Sequence, residues 1–574
     1  MGKVAMRSTS ETGAGADTPS TTFADAIGRT LAEDGVRHAF GVVANGNVLA
    51  VAALTRHGVR YLSARHEGGA LTMADAYYRT TGEVAVCTTG SGPGLTNTAT
   101  GLADAVKHRS GVLLLCGDAP VAGPRRIDID QAAFLSSLDV PVVRLTDPAS
   151  VRTDTLRALR LARDQQRPVA LCLPQDMITA RTAEAAAEPW PRAARREPVD
   201  TARTAPVLDA LAAARRPLVL AGLGAWRSGA AKSLTELGDR IGALYTTSAM
   251  AGGFFGDSPW SLGVCGGFAS PRAAALIGQA DLVLAFGASL DQWTLADGRL
   301  LAPDAVLVQV DTGRAPTTGR VDLFVRGDAD EVATSLLDGV RAQDLRRSGW
   351  REDITAGRIA ELGWDREPFR DAGTGDRIDP RTLTLALAGL LPRERTLVTD
   401  GGHFVGWPAM YWSVPDPAAY VFTGAASQSI GMGFAGAVGA AVGRTDRTTV
   451  VALGDGGALM GLSELETLVR TGHPALVVIY DDGGYGMEVV LFGDRGADLD
   501  SMVFGDTDFA GVARALGARG ATVRSVADLT VVRDWLAGGA EGVLVLDCKV
   551  VDGVVADCLA GLTTVISGRA ADDR

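Results

Sequence analysis

Short apolar runs recur along this chain, each closed by a turn-forming or acidic residue and followed by a helix-sized interval. Thr449-Val450-Val451-Ala452-Leu453 ends in Gly454-Asp455-Gly456-Gly457, and Ala475-Leu476-Val477-Val478-Ile479 ends in Tyr480-Asp481-Asp482-Gly483-Gly484. Between them Leu462, Leu465, Leu468 and Val469 share one face at helical spacing, and Ser463 with Glu466 forms a candidate capping box. Continuous apolar runs suit strands covered on both faces, so the order strand, turn, helix, strand predicts an α/β fold built on parallel sheets.

The same rhythm divides the chain into three doubly wound parallel-sheet units. A polar head rich in Ser, Thr and Gly, residues 1–20, carries too little apolar surface to pack and is expected to be disordered. The first unit, 21–181, closes on Val169-Ala170-Leu171-Cys172-Leu173-Pro174, and an Ala/Arg/Glu/Pro linker follows. Arg216-Pro217-Leu218-Val219-Leu220-Ala221-Gly222 opens the core of a second, Rossmann-like unit at 204–340. After a charged, turn-rich stretch from 341, a third unit spans 375–560 and begins its strands at Arg395-Thr396-Leu397-Val398-Thr399-Asp400, leaving 561–574 as a tail.

Charge narrows the partners. A net charge of −12 with no basic stripe argues against nucleic acid. No apolar run reaches the length of a membrane span and the head lacks a hydrophobic signal core, so no membrane partner and a cytoplasmic location are expected. The six cysteines, Cys87, Cys116, Cys172, Cys265, Cys548 and Cys558, lack metal-type spacing and fall mostly in apolar segments, which reads as buried thiols. The six histidines form no cluster, so any metal should be magnesium held by oxygen.

Oxygen donors of that kind lie in the two acidic turns. Both follow strands, and open α/β sheets bind ligands at the carboxyl ends of their strands. Asp455, Asp482 and the carbonyl of Gly484 could complete an octahedral magnesium shell that also holds a diphosphate, with glycines letting backbone amides reach the phosphate oxygens. The stretch 454–482 resembles the diphosphate-binding motif of thiamine-diphosphate enzymes. Arg65-His66-Glu67-Gly68-Gly69-Ala70, then Ala74-Asp75-Ala76-Tyr77-Tyr78, then Thr88-Thr89-Gly90-Ser91-Gly92-Pro93-Gly94-Leu95-Thr96-Asn97 resembles the pyrimidine-binding domain of the acetolactate-synthase-like branch, which includes 2-oxo-acid decarboxylases.

The resemblance implies a pyrimidine-binding, a central and a diphosphate-binding domain, with thiamine diphosphate and Mg2+ bridging the first domain of one subunit and the third of another. A homodimer or homotetramer follows. It makes Glu67 the activating carboxylate, a buried group whose raised pKa would suit a proton relay with the aminopyrimidine ring. Gly401, Gly402 and His403 match the segment that contacts the diphosphate, alongside Gly454, Asp455, Gly456, Gly457, Ala458, Asp482, Gly484, Tyr485, Gly486 and Met487. Ser429 and Ile430 lie in the loop that receives the ring, Ile430 where the family places the apolar prop for the cofactor's bent shape. Gln131 and Glu488 are the further catalytic candidates, Glu488 through likeness of Gly484-Tyr485-Gly486-Met487-Glu488 to the Gly-Tyr-x-x-Glu of 2-oxo-acid decarboxylases and some synthases.

Departures separate the chain from ordinary acetolactate synthases. Asp482 stands where the family usually has Asn, Asp130 where Phe commonly precedes Gln131, and Leu491 where a pocket tryptophan is usual. Gly41-Val42-Val43-Ala44-Asn45-Gly46 lacks the Pro-Gly-Gly type of loop found near the substrate in many relatives, and the histidine pair of simple decarboxylases is missing. Gly222-Leu223-Gly224 and Asp311 are compatible with FAD in the central domain, whereas 285–293 departs from the flavin-contacting pattern, so FAD stays open. The expected activity is decarboxylation of a 2-oxo acid with transfer of the acyl unit to a carbonyl acceptor. Release of an aldehyde is the alternative, and a non-catalytic cofactor-binding subunit is the contrasting class, against which Glu67, Asp455 and Asp482 are all present.

Overall fold

The computed structural model describes residues 21–182, 201–296 and 298–559; the head, the tail and most of the first linker lie outside the described residues. Three six-stranded sheets, every neighbouring pair parallel, form the frame. The first orders its strands Arg60–Ser63, His38–Gly41, Ala85–Thr89, Val112–Asp118, Val169–Pro174, Val142–Arg144. The third runs Tyr420–Phe422, Arg395–Thr399, Thr448–Gly454, Ala475–Asp481, Val543–Lys549, Arg519–Val523. Numbered within its own unit, each reads 2-1-3-4-6-5. The central sheet instead runs Ser261–Val264, Leu244–Thr247, Pro217–Ala221, Leu282–Phe286, Val306–Asp311, Leu323–Arg326, which is the dinucleotide-fold order 3-2-1-4-5-6 expected for a Rossmann-like unit.

The apolar runs become the middle strands because both faces of each sheet are covered: Val112–Asp118 and Ala475–Asp481 are buried along their whole length. In the central unit Gly222 and Gly287 let the ends of two strands touch, since a Cβ on Gly222 would run into the Gly287 carbonyl. Thr21–Thr22 pairs antiparallel with Arg181–Thr182 and ties the start of the first unit to its end.

First and third units share one core. Helix Glu67–Thr81 lies against helix Gly433–Gly443, and residues of both, among them Leu71, Met73, Phe434 and Val438, belong to one buried cluster. Gly433–Gly443 is apolar on nearly every side because it sits between this helix and its own sheet. Gly439 makes the crossing close: a Cβ there would meet the Met73 carbonyl group and lie 3.0 Å from Ala76 Cβ.

Leu465 and Leu468 are buried, with Leu462 and Val469 packed beside them, as their spacing predicts. The capping box does not form. Helix Ser463–Thr471 begins with Ser463 already inside it and Leu462 as the cap, and Glu466 pairs instead with Arg65 of the first unit and Arg470. All six cysteines are buried and free, the Cys116 and Cys172 sulfurs 3.6 Å apart on neighbouring strands. Among the described residues no helix is long and apolar enough to cross a membrane.

Candidate functional site

Four loops at the carboxyl ends of adjacent strands of the third sheet converge on a cavity of about 870 Å³. They contribute Gly401, Gly402 and His403; Ser429 and Ile430; Gly454, Asp455, Gly456 and Gly457; and Asp482, Gly484, Tyr485, Gly486, Met487 and Glu488. Leu491 lies on the same wall, and the cavity continues into the central unit past Gly224, Ser289, Trp293 and Asp311.

Strand order explains the acidic centre. Thr448–Gly454 and Ala475–Asp481 are neighbours in register, so their following turns meet. Asp455 starts helix Asp455–Met460; its Oδ2 accepts from the Gly483 amide at 3.0 Å and its Oδ1 from the Gly456 amide at 2.9 Å. Burial, then the charges of Asp482 and Asp481, push the Asp455 carboxyl up to about 8. Asp481 turns away from the cavity: Lys549 Nζ donates to its Oδ2 at 2.5 Å and also pairs with Asp547 at 2.9 Å. Asp482 is left facing His403, with Oδ2 3.5 Å from Nδ1.

Three observations say what the cavity suits. His403 Nε2 is buried and has no partner. Gly402 holds φ 128° and ψ 179°, a region open essentially only to glycine. A Cβ on Gly456 would stand 2.7 Å from the Tyr485 ring. An anionic group with a divalent cation fits this donor set, because the cation offsets the paired carboxylates while His403 and the glycine amides meet the anion. Among the described residues no group of three His, Cys, Asp or Glu side chains is placed to hold a metal.

Not every predicted residue joins the cavity. Glu67 begins helix Glu67–Thr81, half-buried, and accepts a bond from Asn97 Nδ2 at 3.0 Å; it does not line this cavity, and within one chain it is not the buried carboxylate expected. Gln131 is buried with its amide fully engaged: Nε2 donates to the Gly117 carbonyl at 2.9 Å and Oε1 accepts from the Gly92 amide at 2.7 Å. Ala458 is fully buried in the shared core. Glu488 is exposed to the cavity on helix Gly486–Phe492.

Two carboxylates escaped the sequence reading. Asp400 accepts from the Gly401 amide at 2.9 Å and the Gly431 amide at 2.7 Å, and burial pushes its carboxyl up to about 6. Asp104, from the first unit, bonds the loop that carries Ile430. Asp400 closes an apolar strand just as Asp455 nearly does, which is a usable signal; Asp104 gave none beyond being a lone carboxylate in the helix Ala99–His108.

Family comparisons agree with this geometry. Residues 21–136 match the N-terminal TPP binding domain of thiamine pyrophosphate enzymes, 204–336 their central domain and 400–548 their C-terminal TPP binding domain. The chain belongs to the thiamine pyrophosphate enzymes, in the acetolactate synthase-like group. It is 30% identical over 446 residues to the acetolactate synthase large subunit of Parasynechococcus marenigrum, covering 75% of this chain and 70% of the relative. It is 27% identical to a probable acetolactate synthase large subunit of Methanocaldococcus jannaschii, over 81% of this chain and 80% of the relative. Sulfoacetaldehyde acetyltransferase of Castellaniella defragrans is 26% identical over 89% of each chain.

Proposed function

We propose that the protein is a carboligase: it removes CO2 from a 2-oxo acid and transfers the remaining acyl unit to a carbonyl acceptor. The observation that carries this reading is that Asp455, Asp482 and His403, whose Nδ1 faces Asp482 while its buried Nε2 has no partner, line one cavity large enough for cofactor and substrate together. Relatives named as synthases and as acetyltransferases favour transfer over simple release.

Thiamine diphosphate, when bound, supplies the electron sink that lets a 2-oxo acid lose CO2. Asp455, Asp482 and the Gly484 carbonyl are the ligands we assign to Mg2+. His403 Nε2 and the amides of Gly402 and Gly457 face the diphosphate, Gly401 and Gly456 leave it room with their own amides held by Asp400 and Asp455, and Tyr485, Gly486 and Met487 close that end. Ser429 and Ile430 seat the ring. Glu67 holds and returns a proton at the ring nitrogen, and Glu488 handles a proton beside the reacting carbon. Gln131 braces the glycine loop through the Gly92 amide. The central unit is the place for a nucleotide; FAD there would make the purified protein yellow.

Glu67 reaches such a site only from a second copy, so the functional unit is a homodimer or a pair of dimers. Apolar side chains left exposed on both outer units support this, Ile127 at 75% and Met460 at 57% among them, with Val43, Val48, Val503 and Phe504. The proposed domain bounds are 21–181, 204–340 and 375–560, and the proposed location is the cytoplasm.

Purified protein should be denatured to identify its cofactors, then incubated with a panel of 2-oxo acids, with and without aldehyde acceptors, while CO2 and carbon–carbon products are followed. Acceptor-dependent product formation supports carboligation. An aldehyde formed equally with and without acceptor would instead support plain decarboxylation, the reading that Glu488 on the cavity wall favours. Bound cofactor with no CO2 from any acid would overturn both.

A further inference from the structure

The loop 424–432 that carries Ser429 and Ile430 is conformationally demanding. Gly424 and Gly431 have φ of 76° and 86°, and Gln428, which has a side chain, is left-handed at 56°. Such a loop keeps one shape only if its surroundings fix it at both ends. Asp400 holds the far end through the Gly431 amide. The near end is held by another domain.

Asp104 lies in helix Ala99–His108 of the first unit, wholly buried. Its Oδ1 accepts from the Ala426 amide at 3.0 Å, the Ser427 amide at 3.1 Å and Ser427 Oγ at 3.1 Å, and its Oδ2 accepts from the Gly424 amide at 3.2 Å. Arg79 supplies the countercharge: Nη2 donates to Asp104 Oδ2 at 2.7 Å and pairs with Asp75 at 2.8 Å, while Nη1 donates to the Phe422 carbonyl at 2.7 Å. One carboxylate thus collects four donors from a single short segment, and its arginine grips the strand that feeds that segment.

We propose that Asp104 is a positioning residue for the cofactor's ring: acting across the domain boundary within one chain, it fixes the loop in which Ile430 and Ser429 seat the pyrimidine. This rests on the functional reading above. A buried, charge-paired acceptor of this kind is costly to break because the Gly424 and Ala426 amides lose their partner together, and the Ser427 amide keeps only the Gly424 carbonyl at 3.3 Å. The diphosphate end of the cavity is built from other loops, so the two halves of cofactor binding are separable.

The test uses full-length wild type, Asp104→Asn and Ser427→Ala, with Trp293 and Trp407 on the cavity wall as fluorescence reporters. Each protein is titrated, with Mg2+ present, with thiamine diphosphate and separately with inorganic pyrophosphate. Asp104→Asn should bind thiamine diphosphate about tenfold or more weakly, and Ser427→Ala about two- to fivefold more weakly, with pyrophosphate unchanged in both. Undiminished thiamine diphosphate affinity in both variants, or equal loss of both ligands, would overturn the proposal in favour of a merely structural contact. If Asp104→Asn does not fold, Ser427→Ala decides alone. A wild type that binds pyrophosphate but no thiamine diphosphate would sink the functional reading, and this inference with it.

Discussion

Substituting Gly439 by alanine sets two opposing magnitudes against each other. Gly439 is inside helix Gly433–Gly443, where replacing glycine by alanine ordinarily favours the helix by roughly 1 kcal/mol. The added methyl, however, would stand against the Met73 carbonyl oxygen, 2.9 Å from its carbon and 3.0 Å from Ala76 Cβ. The obstructing carbonyl is backbone, so no rotamer change relieves it, and the two helices must part or slide. Overpacking of this sort costs about 1–3 kcal/mol, and an immovable obstacle places this case at the upper end, leaving a net loss of about 2 kcal/mol. Gly389→Ala is the control: that residue is right-handed at φ −74°, and the nearest atom to a new Cβ is 3.8 Å away. It should be neutral or gain about 0.5–1 kcal/mol. Denaturant unfolding of both variants at one pH measures the two values. Gly439→Ala as stable as wild type would refute the claim that backbone contact at this crossing sets the distance between the helices.

Two further outcomes follow from the site. Glu67→Gln keeps an oxygen for Asn97 and should unfold like wild type, yet turnover should fall by about 10²–10⁴, the usual contribution of a positioned proton-transfer group; unaltered turnover would remove Glu67 from the mechanism. Asp400, pushed by burial from 3.8 up to about 6, binds its proton more tightly when folded, so its stabilisation is full below about pH 4 and lost as pH rises through about 6. At about 1.4 kcal/mol per unit the stability of wild type relative to Asp400→Asn should drop by about 3 kcal/mol across that window, and a difference flat with pH in denaturant titrations would contradict it.

The sequence made the strands and the acidic turns visible because both are local. A buried parallel strand must be apolar throughout, and Gly-Asp-Gly after it is short-range turn chemistry, so 449–457 and 475–484 announce themselves. The Ser463–Glu466 box failed for the opposite reason. Local rules assign Glu466 to its own helix, but Arg65, some four hundred positions earlier, competes for it and wins. Asp104 stayed hidden on the same account: its partners are backbone amides over three hundred residues away, and no side-chain pattern encodes backbone donors. Gln131 shows how a motif can locate a residue without its duty, since burial assigns its amide to Gly92 and Gly117 rather than to the cavity.

The shared strand order 2-1-3-4-6-5 in the outer units makes their loops comparable one by one. After the second strand the first unit places Glu67 and the third places 424–432; after the third strand they place Gly90 to Gly94 and Asp455 to Gly457 respectively. The helices that follow those second strands, Glu67–Thr81 and Gly433–Gly443, are equivalents, and they are the pair that pack against each other. A near-symmetric contact between like elements is how copies of one fold bury the same face twice. One consequence is chemical. Because the strand order is shared, the division of labour proposed above between a single carboxylate in the first unit and a cation-binding pair with glycines in the third lies in the loops and helix starts after the strands, where a change of residue alters chemistry without altering the fold. Asp482, Asp130 and Leu491 all lie in such loops or on the short helix after one of them, so substrate choice can diverge here while the scaffold shared with acetolactate synthases stays the same.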